Sequence, residues 1–111
     1  MRFLLAVLAF AASTAIAPAA AALAPSAIVA GPSAYDGKTV TVAGKVANFQ
    51  VSSTIRGKVS GFALCDAKCV VVIDETNQTH ANGDNVTVTG TFHTTFSGPR
   101  KTFTNAVVIG H

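Results

Sequence analysis

The chain has 111 residues, half of them apolar and 12% charged, with eight Lys and Arg against five Asp and Glu. That length holds one domain, and the apolar share excludes a polar, disordered chain. A formal charge of +3 permits anionic partners without the density of a strongly basic nucleic-acid arm.

Residues 1–22 have the layout of a secretory signal peptide: Arg2, an apolar run from Phe3 to Ala12, then Ala-x-Ala cleavage choices around Ala19 to Ala22. The run is too short and too rich in Ala for a comfortable membrane anchor. With no cysteine at the cut, a lipoprotein anchor is not indicated. The expected product is a periplasmic or secreted protein with no membrane contact after signal removal. Losing Arg2 leaves seven cations against five anions, a net charge near +2. Residues 23–33 are dominated by Ala, Pro and other small residues and are expected as a linker, with the folded domain over 34–111.

The first strand is expected from about Thr39 to Val51, after a turn at Tyr35 to Lys38. Val40, Val42 and Val46 alternate with Thr and Ala, the period of a strand with one buried face. Gly44 marks a bend, and Phe49 and Val51 have the opposite parity, so the buried face switches after it. A polar stretch from Ser52 to Lys58 is expected as a loop before a second strand, Val59 to Cys65. Cys69 to Ile73 is apolar on both faces, as suits a covered sheet. Asp74 to Asp84 lacks helical periodicity and is expected as a loop. Gly83-Asp84-Asn85-Val86-Thr87-Val88-Thr89-Gly90 then repeats the Gly-x-x-Val-Thr-Val-x-Gly phrase of residues 37–44 and opens a fourth strand, to about Thr95. Ser97 to Lys101 is a turn, and Thr102 to Ile109 a fifth strand with Phe103, Val107 and Ile109 on one face.

Five strands, two of them long and bent at a glycine, predict a small all-β barrel. An immunoglobulin-like sandwich wants about seven strands and widely spaced cysteines. An SH3-like barrel has shorter strands than the first and fourth here.

Cys65-Asp66-Ala67-Lys68-Cys69 brackets the turn between strands two and three. In an oxidising compartment such a pair is expected as a structural disulfide, with free or metal-binding thiols as the alternatives. Neither Cys-x-x-Cys nor Cys-x-x-Cys-His occurs. His80, His93 and His111 have no ligand spacing, so no metal or cofactor is expected. Asn77-Gln78-Thr79 and Asn85-Val86-Thr87 match a glycosylation acceptor that matters only in a eukaryotic secretory route. Asp74-Glu75 are chain neighbours that need not converge on a substrate, and no nucleophile motif or phosphate-cradling loop is present. A non-enzymatic role is expected.

Gly37-Lys38-x-Val40-x-Val42-x-Gly44-x-Val46, Phe62-x-Leu64-x-Asp66, the apolar third strand and Gly83-Asp84-x-Val86-x-Val88-x-Gly90 together resemble the oligonucleotide/oligosaccharide-binding (OB) fold over about Tyr35 to His111. The layout is similar to small exported bacterial OB-fold proteins and to anticodon-binding and helicase-type OB domains. The resemblance implies a five-stranded Greek-key barrel in which the first and fourth strands are neighbours. It also implies binding through the face of strands two and three and the loops joining strands one to two and four to five. Those loops carry Arg56, Lys58, Arg100 and Lys101, four of the seven cations left after signal removal. Phe62, Phe92 and Phe96 are candidate stacking platforms, though strand parity assigns at least some of them to the core. Phe62 is counted with the four cations as ligand-binding. The expected partner is single-stranded nucleic acid or another anionic polymer. The alternative is an envelope protein bound through protein contacts, in a structural or stress-related role. One departure is the missing helix between strands three and four.

Overall fold

A computed structural model describes residues 22–55, 57–98 and 101–110. Nearly all of the expected signal peptide, and Arg56, Arg100 and His111, lie outside the described residues. The elements are α1 (Pro25–Ala30), a 3-10 turn (Pro32–Ala34), β1 (Thr39–Thr54), β2 (Gly57–Cys65), β3 (Cys69–Asp74), β4 (Asn85–Ser97) and β5 (Thr102–Ile109).

The five strands close into a barrel in the order β1-β2-β3-β5-β4, with β4 returning to β1. Every pairing is antiparallel except β3 with β5. Valines at alternate positions put Val40, Val42, Val46, Val70, Val72 and Val88 inside, with Phe62, Leu64, Phe92 and Val107 completing the core.

The two repeated phrases lie side by side and antiparallel. Val42 pairs with Val88, its counterpart in the repeat, while Val40 faces Gly90 and Gly44 faces Val86. The pairing is therefore reciprocal about a local two-fold axis through the Val42/Val88 pair. Each glycine sits where its strand changes partner. β1 leaves β4 and joins β2 at Lys45, and β4 leaves β1 and joins β5 at Thr91. A Cβ at Gly44 would lie 2.9 Å from the Cys65 carbonyl oxygen, and one at Gly90 would lie 2.5 Å from that of Val108. Both glycines serve close backbone approach.

The expected switch of the buried face in β1 is present at Phe49, which packs against the core, but Val51 is 49% exposed. The register slips between Ala47 and Gln50, where Asn48 adopts a φ of 55°. This is a β-bulge, built on a residue type that tolerates the left-handed region. Past the bulge the strand continues to Thr54, so most of the stretch expected as a polar loop is a paired ribbon. Polar and β-branched residues can extend a two-stranded ribbon without a core to cover. At the other hairpin β4 likewise runs on to Ser97.

Residues 23–33, expected as a linker, pack against the barrel. Leu23 donates its N–H to the Thr41 carbonyl and accepts the Ala43 N–H, lying along the part of β1 that β2 does not reach. Pro25 and Gly31 punctuate α1 at its two ends. Ile28 is 0% exposed and belongs to the core. The helix has no side-chain cap of its own. Its early N–H at Ser26 donates to Asp66 Oδ1, and the Ser26 hydroxyl donates to Asp66 Oδ2. The other barrel end is covered by residues 75–84, which form turns and coil with no helix. Within that loop His80 packs edge-on to Phe49 and Phe62, with ring centroids 6.3 and 5.2 Å away.

Gly90→Ala is expected to destabilise the fold by about 1–3 kcal/mol through forced overpacking. Gly31→Ala, whose added Cβ meets nothing within 4 Å, should stay within about 0.5 kcal/mol of the parent. Urea unfolding of both variants checks the contrast. A second expectation concerns acid. The Ser26 hydroxyl, then the Lys68 N–H, hold the Asp66 carboxyl below its ordinary value of 3.8. Its contribution is thus complete above that value and is lost as pH falls through the lower folded one. Melting curves should show the parent more stable than Asp66→Asn at pH 7 and the gap closing in acid.

Candidate functional site

The β2 and β3 strands alternate cleanly. Ser60, Phe62, Leu64, Val70, Val72 and Asp74 are buried, while Gly61, Ala63, Val71 and Ile73 lie on the other, half-exposed face. Gly61 opposes Ile73 and Ala63 opposes Val71. This outer face is thus smooth, apolar and uncharged.

Two ribbons continue past it at opposite ends. The β1–β2 ribbon extends beyond the Ser60/Asp74 pair and carries Lys58, exposed, opposite Ser53. Val51 is 49% and Ile55 is 103% exposed on the same ribbon. The β4–β5 ribbon extends beyond the Cys65/Cys69 end and carries Lys101. Followed through the registers, Lys58 and Lys101 differ in level by roughly ten strand residues, or about 30 Å along the sheet at the usual rise.

The ribbon cations expected from sequence therefore do not share one spot. Lys58 and Lys101 lie beyond the two ends of the sheet, and Lys58, two residues before Ser60 on an unbroken register, has the parity of the inward face rather than of the uncharged one; Arg56 and Arg100 fall outside the described residues. Phe62 is a correction. It is 3% exposed and packed in the core, because it shares the inward parity of Ser60 and Leu64. A ring so enclosed cannot stack on a ligand. Phe92, at 0% exposure, is excluded in the same way.

The half-buried aromatic groups are instead on the β4–β5 ribbon. Phe96 and Phe103 are a directly opposed pair. His93 lies 5.6 Å from Phe96 by ring centroids, and the Lys101 ammonium is 5.1 Å from the Phe103 centroid. The latter is a cation–π distance. Asn105, with φ 56°, and Thr94, whose N–H goes to Asp36 Oδ1, interrupt the pairing just inside this ribbon. Phe103 was assigned from sequence only to a strand face. The Phe96/Phe103 opposition follows once the Gly98 to Lys101 turn is fixed, where the Gly98 N–H donates to the Lys101 carbonyl.

Cys65 and Cys69 form a disulfide with Cα atoms 4.1 Å apart, closing the β2–β3 turn. Among the described residues there is no group of three or more His, Cys, Asp and Glu side chains able to hold a metal. No helix among them is long and apolar enough to cross a membrane. A partly enclosed cavity of about 240 Å³ opens beside β4 and the end of β5, lined by residues that include Asp74 and His80. Searches against protein-family models, curated proteins and solved structures find no match to this chain.

Reducing the disulfide is expected to lower stability by about 2 kcal/mol, the chain-entropy value for so short a loop. Parallel denaturation of oxidised and reduced protein, with thiol titration confirming the two states, measures it.

Proposed function

We propose that this is an exported, non-catalytic binding module of the OB-fold class that takes an extended anionic polymer, single-stranded nucleic acid being the first to test. The strand order β1-β2-β3-β5-β4, with β3 parallel to β5, supports the fold class. The Cys65–Cys69 disulfide supports a periplasmic or secreted location, where oxidising conditions maintain such bonds.

The observation that carries the binding proposal is the spacing of the charges. Lys58 and Lys101 stand beyond opposite ends of the sheet, about 30 Å apart by strand register. Cations set that far apart engage successive charges of a polymer better than one small anion. The Lys101–Phe103 contact, with Phe96 opposite, supplies the aromatic component that Phe62 cannot. A second reading rests on Ile55, fully exposed at its hairpin tip. In that reading the tip enters an apolar pocket of an envelope protein.

Fluorescence anisotropy with labelled single-stranded oligonucleotides, and with a sulfated polysaccharide as competitor, tests the polymer proposal. The expected result is binding at low salt with a log–log salt slope of about −3 for four neutralised phosphates. Lys58→Glu and Lys101→Glu should each weaken binding and flatten that slope by about 0.7. Absence of binding to either polymer at low salt overturns the proposal. If Ile55→Glu abolishes capture of an envelope protein while polymer binding stays unmeasurable, the second reading replaces it.

A further inference from the structure

Of the asparagines in the chain, only Asn82 is followed by glycine. In such a pair the asparagine side chain is most open to attack by the next peptide nitrogen, because glycine puts no Cβ beside that nitrogen. Both residues are exposed, in the turn that leads from the 75–84 loop into β4. The Asp84 N–H closes the turn on the Ala81 carbonyl at 3.0 Å, and Asp84 Oδ2 accepts the Ala81 N–H. Gly83 has φ 94°, at the turn position that calls for glycine.

The two groups that would react are each held by β1. Asn82 Oδ1 accepts the Phe49 N–H at 2.9 Å, and the Gly83 N–H donates to the Val46 carbonyl at 2.8 Å. Val46 and Phe49 bracket the register slip and its left-handed residue, Asn48. While these bonds stand, the Gly83 nitrogen keeps its proton and the Asn82 side-chain oxygen is tied to β1. His80 holds the same loop down through its ring contacts with Phe49 and Phe62. The seated loop therefore protects the pair, and an opened loop releases it to its ordinary chemistry.

We infer that Asn82 is a site of spontaneous deamidation gated by opening of this loop, and that one of its two products cannot close the loop again. In the step, the Gly83 nitrogen loses its proton to solvent and bonds to Asn82 Cγ, and the side-chain nitrogen leaves as ammonia. Water then opens the five-membered imide at either carbonyl, so one water is consumed and one ammonia released. Opening at one carbonyl gives aspartate, which keeps an oxygen for the Phe49 N–H. Opening at the other gives isoaspartate, whose main chain runs through the side-chain methylene. That extra backbone atom falls between the Phe49 and Val46 contacts, so the two no longer fit one register. A single opening at this end of the barrel is thereby made permanent. No ribbon cation takes part, so the inference is independent of the polymer proposal.

The test incubates the purified, oxidised chain at mildly alkaline pH, folded in buffer and unfolded in guanidinium chloride. Mass spectrometry of the proteolytic peptide containing Asn82 follows the loss of asparagine and the gain of isoaspartate. Two hydrogen bonds of ordinary worth make the folded rate about thirtyfold lower than the unfolded one. His80→Ala removes the ring contacts and leaves both backbone bonds. When folded it should react about two- to tenfold faster than the parent, and at the parental rate in guanidinium chloride. Hydrogen exchange reads the gate without any variant: the Gly83 and Phe49 amides should be protected in the parent. The isoaspartyl form, isolated by chromatography, should lose that protection. Equal rates in the folded and unfolded chain, no isoaspartate at Asn82 after unfolding, an unprotected Gly83 amide, or a folded His80→Ala that reacts at the parental rate would overturn the gate. An isoaspartyl form with parental protection at Phe49 would overturn its permanence.

Discussion

In a closed five-stranded cylinder every strand serves two neighbours, but β1 and β4 serve theirs in succession along their length, and the close backbone contact at those transfers governs this molecule. β1 and β4 pair with each other and then separate, one to β2 and one to β5. At each separation three strands converge, and a side chain pointing into the convergence would strike a carbonyl. Gly44 and Gly90 relieve that conflict. The reciprocal register about Val42 and Val88 makes the two solutions equivalent, which is why one sequence phrase appears twice. The departure of both ribbons from the barrel follows from the same sharing of strands.

The ends of the cylinder are closed by unrelated means. At one, α1 supplies a single large side chain, Ile28, and is held by a carboxylate borrowed from the β2–β3 turn. That turn is itself closed by the disulfide, which holds the helix's acceptor in place. At the other, the 75–84 loop brings His80 against Phe49 and Phe62 and anchors itself through Asn82, whose Oδ1 accepts the Phe49 N–H. Short polar segments can cover an apolar end in this way because their backbone groups find partners on the exposed rim of β1.

Much of the barrel was legible because valine alternation is a strong signal when one face is buried and the other wet. The twin glycine phrases suggested a curled sheet, and the pairing of β1 with β4 came from the fold resemblance they helped to carry. The positions of the bulge and of the ribbon tips were not legible. Asn48 looks like any polar strand residue until its backbone angle is known, and Ser52 to Thr54 have loop composition because they cover no core. Ile28 was hidden by its alanine-rich surroundings, and Pro25 and Gly31, which bound α1, were read only as linker composition. On the candidate site, composition placed Lys58 and Lys101 in two loops and could not give their separation, whereas Lys58 lies within β2. It misassigned Phe62, whose shared parity with Leu64 was the available warning. Asp74 looked like the start of a loop; only the register against Ser60 reveals it as an interior residue.

The entry of the chain into the fold limits how the protein can be handled at its front. Leu23 completes two backbone bonds to β1, and Ile28 stoppers the cylinder a few positions later. An engineered boundary upstream of Ala22 keeps both of these contacts in the chain. A boundary only two residues further in removes the pairing with Thr41 and Ala43, and one beyond Ile28 uncorks the barrel. A truncation or fusion point that is to leave the barrel closed therefore has to stop short of Leu23.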